Sequence, residues 1–495
     1  MNNVLEFLEK TAETNALDTG VDDGRIRISW RELMEASQRI GTAVSKMTEP
    51  RRPVAILMEK STKALSAMFG AVYAGCFYTM VEPTLPAERI LEIFRVLSPE
   101  VVITDMIGRT ALKGVPYTGK IACFKECLQQ NADADLINQI RRSSRDIDIL
   151  YCMFTSGSTG VPKGIVVSHR AVIDFVSHFS EEFQFTEQDR IGNQAPFDFD
   201  VSVKDIYTSV FTGASLILIP QRLFSTPPRL LDYLCGKRVN TLIWAVSALT
   251  LISSLKGLQY RVPVDIKRVM FSGEVMPAKQ LRMWQEALPD AEFINLYGPT
   301  ETTCNCTYYR IHRVFADNEK IPIGKPFPGR KLFLLDEAGN LISERDKMGE
   351  ICVAGESLSE GYFCAKEETE KRFCKWIDGQ RFYRSGDLGY LGSDGEFYYV
   401  GRKDFQVKIM GRRIEPEEVE YVLNQMEGVE KSCCLVNKKR SQLLAYYCGE
   451  AEEKDLRRHL RERLPVYMIP QKLIRIERIP VNKNGKTDRT QIEAL

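Results

Sequence analysis

Residues 154–164 have the sequence FTSGSTGVPKG, the most distinctive stretch in this chain of 495 residues. The stretch follows an apolar run and contains three glycines, four hydroxyl side chains and one lysine. Glycines let backbone N–H groups converge on an anion, hydroxyls add donors, and a lysine neutralises phosphate charge. Because Gly164 rather than Ser or Thr follows Lys163, this is not a Walker A loop. We predict a phosphate-binding loop after a buried strand; a flexible surface linker would have no use for so many ordered donors.

Short apolar runs alternate with helical patterns on the N-terminal side of this loop. The pattern predicts buried strands at 53–57, 101–104 and 149–154, and helices at 61–74 and 86–97. Such alternation indicates an α/β core with a mainly parallel sheet. After residue 330 the sequence pattern changes from alternating strands and helices to short strands. Turn residues separate the strands predicted at 331–336, 349–354 and 396–400.

A smaller unit begins beyond Gly401. Its predicted elements are helices at 416–426 and 452–464, a hairpin through 437–440 and a strand near 473–478. About ninety residues of this mixed kind are enough for a compact α+β domain. We therefore predict an α/β fold whose large N-terminal domain, 1–402, has mainly parallel sheets plus a β-rich subdomain, followed by a small C-terminal α+β domain, 403–495.

The composition excludes several classes of protein. Lys plus Arg (67) nearly balances Asp plus Glu (66), and the net charge of +1 argues against a dedicated nucleic-acid binder. Thirteen scattered cysteines favour a reducing compartment, and four histidines are too few for a histidine-clustered zinc site. Residues 1–9 do not form a signal peptide, and the apolar stretch 214–220 is far shorter than the ~20 residues of a spanning helix. We expect a cytoplasmic protein without a membrane span.

Further segments accompany the phosphate loop. They are SWREL (29–33), AGCFY (74–78), NLYGPTETT (295–303), YRSGDL (383–388), GRKDFQVK (401–408), LPVYMIP (464–470) and NGKTDR (484–489). In type and order they resemble the adenylate-forming superfamily, which includes acyl-CoA synthetases, luciferases and the adenylation domains of nonribosomal peptide synthetases. The resemblance extends over nearly the whole chain and implies an AMP-forming ligase that uses ATP and Mg²⁺.

The resemblance assigns a nucleotide site to these segments. Tyr297 would stack on adenine, Thr300 would contact phosphate and Asp387 would bind ribose. Arg402 would contact ribose and phosphate. Glu301 would hold Mg²⁺, which prefers one or two carboxylates together with phosphate oxygens. The implied ATP or AMP set is Thr155, Ser156, Gly157, Ser158, Thr159, Gly160, Lys163, Gly273, Glu274, Asn295, Tyr297, Gly298, Thr300, Asp387, Arg402 and Lys486. The simpler alternatives are a first-turn helix carboxylate for Glu301, a turn aspartate for Asp387 and a surface ion pair for Arg402.

The resemblance makes Lys486 a catalytic residue, together with Thr155 and Glu301. Lys486 follows Asn484-Gly485, a tight turn that would present the cation at a loop tip. In the family this lysine reaches from the small domain to the substrate carboxylate and the α-phosphate, where charge builds as pyrophosphate leaves. The alternative is a solvated lysine of the C-terminal tail.

Asp404 matches the position of the family's hinge. About this hinge the small, mobile domain is thought to rotate between an adenylating and a thiolating arrangement. Gly411, Arg412 and Arg413 would then turn toward the pantetheine arm of the thiol. A capping or turn aspartate is the alternative for Asp404.

The segment Phe199-Asp200-Val201-Ser202 resembles that of the amino-acid-activating members. There the aspartate pairs with the α-ammonium group of the substrate, and a carboxylate in a closed pocket requires such a cation. Two alternatives remain: Asp200 or Ser202 caps a helix that starts near Val203, with Asp205 completing a capping box, or Asp198 does the pairing.

The remaining substrate pocket is carried over position by position. It comprises Val201, Lys204, Leu249, Met270, Ser272, Leu296, Cys304 and Asn305, and ordinary core packing is the alternative for each. The segment 193–197 and the length most resemble D-alanine–carrier-protein ligases, but Lys204 stands where those ligases generally have an apolar residue. Lys204 would meet a polar or acidic substrate side chain, or would extend to solvent.

These observations predict an ATP-dependent ligase that forms an aminoacyl-AMP from a small amino acid, with D-alanine as the first candidate. The aminoacyl group would pass to the phosphopantetheine thiol of a separate carrier protein, because only nine residues follow Lys486. We expect a monomer that binds no nucleic acid. An acyl- or aryl-CoA ligase and a non-catalytic nucleotide-binding protein on the same fold are the alternatives.

Overall fold

The computed structural model describes residues 1–15, 19–157, 160–376, 378–437, 442–480 and 487–493. In these ranges the α-helices are α1 (Leu5–Thr14), α2 (Trp30–Ser45), α3 (Thr62–Tyr73), α4 (Ala87–Leu97), α5 (Met106–Leu112), α6 (Phe124–Leu128), α7 (Ala134–Ser143), α8 (His169–Glu182), α9 (Val201–Thr212), α10 (Pro227–Gly236), α11 (Val246–Ser254), α12 (Gly257–Tyr260), α13 (Ala278–Ala287), α14 (Lys366–Arg372), α15 (Pro416–Asn424), α16 (Glu453–Arg463) and α17 (Arg489–Glu493). Short 3-10 helices occupy Gln221–Ser225, Thr300–Thr302 and Val466–Met468.

The β-strands of the same ranges are β1 (Thr19–Asp22), β2 (Arg27–Ser29), β3 (Pro53–Leu57), β4 (Phe77–Val81), β5 (Val101–Thr104), β6 (Lys120–Cys123), β7 (Ile149–Thr155), β8 (Lys163–Ser168), β9 (Arg190–Asn193), β10 (Ser215–Leu218), β11 (Thr241–Ala245), β12 (Arg268–Ser272), β13 (Glu292–Tyr297), β14 (Thr307–Arg310), β15 (Lys325–Pro326), β16 (Arg330–Leu335), β17 (Leu341–Ile342), β18 (Gly349–Gly355), β19 (Gly361–Tyr362), β20 (Phe373–Lys375), β21 (Arg381–Leu391), β22 (Phe397–Arg402), β23 (Val407–Ile409), β24 (Arg412–Ile414), β25 (Val429–Asn437), β26 (Gln442–Gly449) and β27 (Lys472–Arg475).

Two large sheets form the N-terminal domain. One has the order β19-β8-β7-β4-β3-β5-β6, and the other β15-β14-β13-β12-β11-β9-β10-β1-β2. The run from β7 to β6 and the run from β13 to β1 are parallel, and antiparallel strands complete both sheets. The predicted α/β class with mainly parallel sheets is confirmed.

One continuous apolar core joins the two sheets through α3, α8 and α9. Helix α3 is buried at nearly every position, as expected for a helix that is apolar all round. Helix α9 is buried equally thoroughly although it carries Ser202, Lys204 and Asp205. Buried polar groups of this kind need partners inside the protein or in a ligand, so α9 is a candidate carrier of functional residues on physical grounds.

A six-stranded antiparallel sheet of β16, β17, β18, β20, β21 and β22 is the β-rich subdomain that the sequence predicted. The C-terminal part contains the β23–β24 hairpin and a sheet of β25, β26 and β27 with its own apolar core. Strands β25 and β26 pair antiparallel, as predicted for the hairpin, and the connecting residues 438–441 lie outside the described ranges. Strand β27 covers only the first part of the predicted strand 473–478, since it ends at Arg475.

Local sequence signals set several helix starts. Ser29 caps α2, accepting from the Glu32 N–H while the Glu32 carboxylate accepts from the Ser29 N–H, which is a capping box.

All thirteen cysteines are free thiols. Among the described helices, none combines the length and the apolar character needed to cross a membrane.

Candidate active site

A cavity of about 70 Å³ lies where the carboxyl ends of β7, β12 and β13 meet the β23–β24 hairpin. Ligands bind at the carboxyl ends of parallel strands in α/β folds. The residues of the predicted sites that line it are Thr155, Ser156, Asp200, Val201, Ser272, Gly273, Gly298, Thr300, Cys304, Asn305, Asp387 and Arg402. The hairpin adds Lys408, Gly411, Arg412 and Arg413. The structure therefore brings twelve of the predicted nucleotide and substrate residues to one place.

Residues of the C-terminal domain contact the predicted phosphate loop directly. Ser156 Oγ donates to the Arg413 carbonyl at 2.9 Å and accepts from the Glu415 N–H at 3.1 Å. The Gly157 N–H donates to Glu418 Oε2 at 3.1 Å. A carboxylate of the protein thus uses a donor that the sequence assigned to phosphate.

Other described residues of the loop also make close contacts. A Cβ at position 157 would lie 2.0 Å from the Val161 carbonyl oxygen, so only glycine fits there. Gly160 has φ +80°, the left-handed region that favours glycine. Lys163 Nζ forms an ion pair with Glu368 Oε1 at 3.0 Å. Ser158 and Thr159 lie outside the described residues.

Glu301 is fully buried in the 3-10 helix Thr300–Thr302. Its Oε1 accepts from the Tyr362 hydroxyl at 2.7 Å and from Arg413 Nη1 at 2.7 Å, whereas its Oε2 has no hydrogen-bond partner among the described residues. Burial alone would raise the pKa of Glu301, but the Arg413 charge and the Tyr362 hydroxyl lower it to about 2. An ionised carboxylate with a free buried oxygen is the type of ligand that Mg²⁺ prefers, so this residue fits a magnesium site.

A hydrogen-bonded chain runs through the predicted ribose site. Tyr297 donates through its hydroxyl to Asp387 Oδ2 at 2.6 Å, and Arg402 Nη1 donates to Asp387 Oδ1 at 2.6 Å. Arg402 also donates to both oxygens of Asp404, at 2.5 and 2.8 Å. Its side chain is only 13% exposed, so Arg402 is not in a surface ion pair, which was the alternative. Asp404 caps no helix; Arg402 is its partner, with Arg372 at 3.7 Å.

Two of the other predicted nucleotide residues, Asn295 and Glu274, do not line the cavity. Asn295 Nδ2 donates to the Pro322 carbonyl at 2.7 Å, and Glu274 Oε2 accepts from the Ser247 N–H at 3.1 Å. Lys486 lies outside the described residues. Of the described residues near it, Asp488 donates through its N–H to the Pro480 carbonyl at 2.8 Å.

Asp200 is buried, at 6% exposure, and lines the cavity. Helix α9 begins at Val201, and the Asp200 side chain makes no capping hydrogen bond, so the capping alternative is wrong for this residue. Ser202 Oγ instead donates to the Phe199 carbonyl at 2.8 Å. Burial raises the pKa of Asp200, against a hydrogen bond from Thr300 and the charges of Lys408 and Lys204.

The two candidate carboxylates have different partners. Asp198 forms an ion pair with Arg412 at 3.0 Å, and the Arg412 guanidinium also lies over the Tyr467 ring at 4.5 Å. No ion pair within 4 Å joins Asp200 to a cation of the described residues, so Asp200 rather than Asp198 is available to a cationic ligand. Asp205, the third acid of this segment, accepts from Asn193 Nδ2 at 2.8 Å.

Lys204 is completely buried and does not extend to solvent, which excludes one of its two predicted alternatives. Its Nζ donates to Ser272 Oγ at 3.1 Å and to Asn305 Oδ1 at 2.8 Å. Cys304 lies next to this group with φ +67° and donates through Sγ to the Asp200 carbonyl at 3.2 Å. The predicted pocket residues near α9 thus form one polar cluster.

Four predicted pocket residues do not line the cavity: Lys204, Met270, Leu296 and Leu249. Met270 and Leu296 are fully buried in the same apolar core as Cys304, which is the ordinary packing alternative. Leu249 packs with Trp284 in a second core, to which Val269 and Phe271 also belong. Since successive residues of β12 point to opposite faces, Leu249 lies on the far face of the sheet, and its predicted pocket position is wrong.

Sequence reasoning missed the contacts that the C-terminal domain makes with the site. Lys408, Glu418 and Tyr467 were not predicted as site residues, and Arg413 was predicted only to face the pantetheine arm. The signal for Lys408 was its place in GRKDFQVK, but nothing in the sequence pairs Arg413 with Glu301, since 112 residues separate them.

Two family models match this chain, one in its N-terminal part and one in its C-terminal part. The model "AMP-binding enzyme" matches residues 6–363, and "AMP-binding enzyme C-terminal domain" matches residues 418–486. The chain belongs to the AMP-binding enzyme family. It is therefore an AMP-forming ligase with an adenylation-domain fold, as the resemblance implied.

The chain covers nearly all of some similar proteins and only a small part of others. The chain is 32% identical over 484 residues to D-alanine--D-alanyl carrier protein ligase of Bacillus velezensis, covering 94% of each protein. It is 30% identical over 496 residues to bacitracin synthase 1 of Bacillus licheniformis, covering 98% of this chain but only 9% of that much longer protein. The solved structure of IdnL1 has a TM-score of 0.84 and 27% identity, covering 97% of this chain and 99% of that one.

Proposed function

We propose that this member of the AMP-binding enzyme family activates an α-amino acid with ATP and Mg²⁺ and then transfers it to the phosphopantetheine thiol of a separate carrier protein. Asp200 carries the proposal. A buried carboxylate in a closed site is costly without a cationic partner, and the α-ammonium group of an amino acid supplies that cation. A fatty or aryl acid does not.

In the first step an oxygen of the amino-acid carboxylate attacks the α-phosphorus of ATP. A P–O bond forms, the bond to the pyrophosphate oxygen breaks, and pyrophosphate leaves with the electron pair. Thr155, Ser156 and the Gly157 N–H are the donors for phosphate oxygens, and Lys486 is assigned to the charge that develops at the α-phosphate. Glu301 would hold Mg²⁺ through its free oxygen, and the metal would neutralise charge on the phosphate oxygens.

The nucleoside binds, in this proposal, against Tyr297, Asp387 and Arg402. Asp387 now accepts from both Tyr297 and Arg402, so a ribose hydroxyl would replace one of these donors. The ion pair of Lys163 with Glu368 and the contact of Gly157 with Glu418 must likewise open for phosphate.

In the second step the carrier thiol attacks the carbonyl carbon of the aminoacyl-AMP. A C–S bond forms, the C–O bond to AMP breaks, and the thiol proton is lost to solvent. Gly411, Arg412 and Arg413 lie at the cavity, and this placement supports an arrangement of the C-terminal domain suited to transfer, with Asp404 as the hinge. For adenylation the domain would rotate to bring Lys486 to the site.

The first substrate candidate is D-alanine, as the resemblance to D-alanine–carrier-protein ligases implies. The polar cluster around Lys204 is the feature that distinguishes this pocket from an apolar one. An acyl- or aryl-CoA ligase is the second candidate function, and a non-catalytic nucleotide-binding protein is the third. Asp200 argues against a CoA ligase, because the acid substrate of such an enzyme has no ammonium group to pair with it. The free oxygen of Glu301 argues against a non-catalytic protein, because it leaves a position for the metal.

Pyrophosphate exchange across the protein amino acids and D-alanine tests the proposal. We expect exchange that depends on one amino acid or a small group, and its loss in Lys486→Ala. Lys472→Ala, an exposed lysine on β27, is the matched control and should exchange like the wild type. If no amino acid supports exchange but a carboxylic acid without an amine gives CoA-dependent release of AMP, the protein is a CoA ligase.

A further inference from the structure

The carboxylate of Glu418 lies between two donors of the N-terminal domain. Its Oε1 accepts from Arg89 Nη1 at 2.6 Å, and its Oε2 accepts from the Gly157 N–H at 3.1 Å. Glu418 belongs to α15 of the C-terminal domain, whereas Arg89 is on α4 and Gly157 is in the predicted phosphate loop. A single anionic group from one domain therefore joins an arginine and a loop donor of the other.

The position that Glu418 fills suits a phosphate group. Carboxylates and phosphates both present oxygens around one central atom, and both bind guanidinium groups and backbone N–H groups through strong, charge-assisted hydrogen bonds. The carboxylate of Glu418 thus stands in for a phosphate that the sequence assigns to this loop. Its two donors, Arg89 and Gly157, remain with the N-terminal domain when α15 moves.

Helix α15 covers the phosphate loop at a second point. Tyr421, one turn after Glu418, lies so close to Gly160 that a Cβ at position 160 would be 2.5 Å from the tyrosine ring. A phosphate group therefore reaches the Gly157 N–H only after α15 has moved away. The domain rotation of the proposed function provides this movement.

Arg89 has a partner that does not depend on α15. Its Nη1 also donates to Glu92 Oε2 at 3.0 Å, three residues further along α4. Glu418 and Tyr467, which both belong to the C-terminal domain, are the groups of other elements that act on its charge. When they leave, Glu92 holds the guanidinium in place. The loss of Glu418 leaves that cation without its most deeply buried counter-charge, which a phosphate replaces.

We infer that Arg89 binds the pyrophosphate half of ATP. After α15 moves, its guanidinium and the Gly157 N–H hold oxygens of the β- or γ-phosphate where the Glu418 carboxylate lies in this arrangement. This role depends on the domain rotation of the proposed function. The alternative role is structural: Arg89 would only hold the two domains together through Glu418.

Two substitutions that break the same ion pair distinguish these roles. Arg89→Met and Glu418→Gln both weaken the contact of α4 with α15, so a purely structural arginine gives shifts in the same direction, with an unchanged or lower KM for ATP in both. A phosphate-binding arginine gives opposite shifts. In pyrophosphate exchange we expect the KM values for ATP and for pyrophosphate to rise at least about tenfold in Arg89→Met and to stay or fall in Glu418→Gln.

AMP is the matched ligand, because it lacks the β- and γ-phosphates. Calorimetric titration of the full chain without amino acid gives the Kd of AMP and of ATP with Mg²⁺. In Arg89→Met we expect the Kd of ATP to rise at least about tenfold and that of AMP to change less than about twofold. An unchanged or lower Kd for ATP, or an equal loss for AMP and ATP, would overturn the inference.

Arg89→Lys decides the question if Arg89→Met does not fold. It keeps the positive charge but loses the planar fork that spans two anionic oxygens. We expect the Kd of ATP to rise several-fold relative to that of AMP, while the KM for the amino acid stays the same. A wild-type ratio of the two Kd values in Arg89→Lys would overturn the inference.

The role of Arg89 and the proposed function fail in different ways. The ATP and AMP titrations need no amino acid, so they test Arg89 whichever acid is activated. If exchange depends on an amino acid but Arg89→Met binds ATP like the wild type, only the role of Arg89 is overturned. If no amino acid supports exchange, amino-acid activation is overturned and the titrations still decide on Arg89.

Discussion

Arg413 Nη1 donates to Glu301 Oε1 at 2.7 Å, so an arginine of the β23–β24 hairpin pairs with the acid that the sequence assigns to Mg²⁺. A guanidinium on Oε1 and a divalent cation on Oε2 would share the negative charge of one buried carboxylate, so each would weaken the binding of the other. The position of the C-terminal domain and the occupancy of the predicted metal site are therefore linked.

Removing the guanidinium tests this link. In Arg413→Met, Glu301 loses its cation while buried, and we expect the free energy of unfolding without metal to fall by about 3 kcal/mol. The same change removes a competitor of Mg²⁺, so the Mg²⁺ concentration for half-maximal pyrophosphate exchange should decrease several-fold. Titration of exchange with Mg²⁺ measures this. Arg458→Met, at an exposed pair on α16, is the control; an unchanged Mg²⁺ dependence in Arg413→Met would contradict the link.

Asp200 and Asp198 provide a matched pair of substitutions on one segment. We expect Asp200→Asn to raise the KM for the amino acid by about 100-fold, because the α-ammonium loses a buried ionic partner worth about 3 kcal/mol. Asp198→Asn should change this KM far less, since Asp198 is paired with Arg412. Exchange kinetics with the amino acid varied at saturating ATP distinguish the two. Equal effects would return Asp198 to consideration as the ammonium partner.

The ion pair of Arg89 with Glu418 joins α4 to α15 at 2.6 Å, and both side chains are buried. Breaking a buried pair leaves an uncompensated charge, so we expect Glu418→Gln and Arg89→Met each to destabilise the protein by about 3 kcal/mol. The double variant should lose clearly less than the sum. Urea unfolding of the four proteins gives the coupling energy. The exposed pair Arg95 with Glu88, also on α4, is the control and should show a coupling below about 1 kcal/mol.

The stability of the N-terminal domain should depend on pH through His169. This ring is buried and accepts from the Val4 N–H at 3.3 Å, and burial lowers its pKa from 6.5 to about 3. Between these values the unfolded chain binds a proton that the folded protein does not, so the contribution is complete above pH 6.5 and is lost as the pH falls toward 3.

The expected loss from His169 is about 2 kcal/mol between pH 7 and pH 5. Urea unfolding at the two values measures it, and His169→Gln should remove this part of the pH dependence. His178→Gln, a partly exposed histidine of the same helix, should not. If His169→Gln keeps the wild-type slope, another group causes the loss.

Much of the fold followed from local pattern. The strands β3 and β5 have the predicted bounds, and α3 and α4 differ from prediction by one residue at their ends, because apolar runs and Ser61 as a helix cap are signals within a few residues. The positions of Thr155, Ser156 and Asp200 at the cavity followed from motifs of the same local kind. The pocket position of Leu249 failed, because a residue count cannot show on which face of a sheet a following helix packs.

The sequence by itself determined the class of the fold, the family and the residue types at the site, since these depend on short runs whose chemistry is readable in order. Only the tertiary structure decided which charged and polar groups meet. Arg413 with Glu301, Glu418 with Gly157 and Lys204 with Asn305 are separated by 112, 261 and 101 positions. Such contacts arise from the packing of domains and sheets, and burial then gives them their energy by removing the water that would otherwise screen each charge.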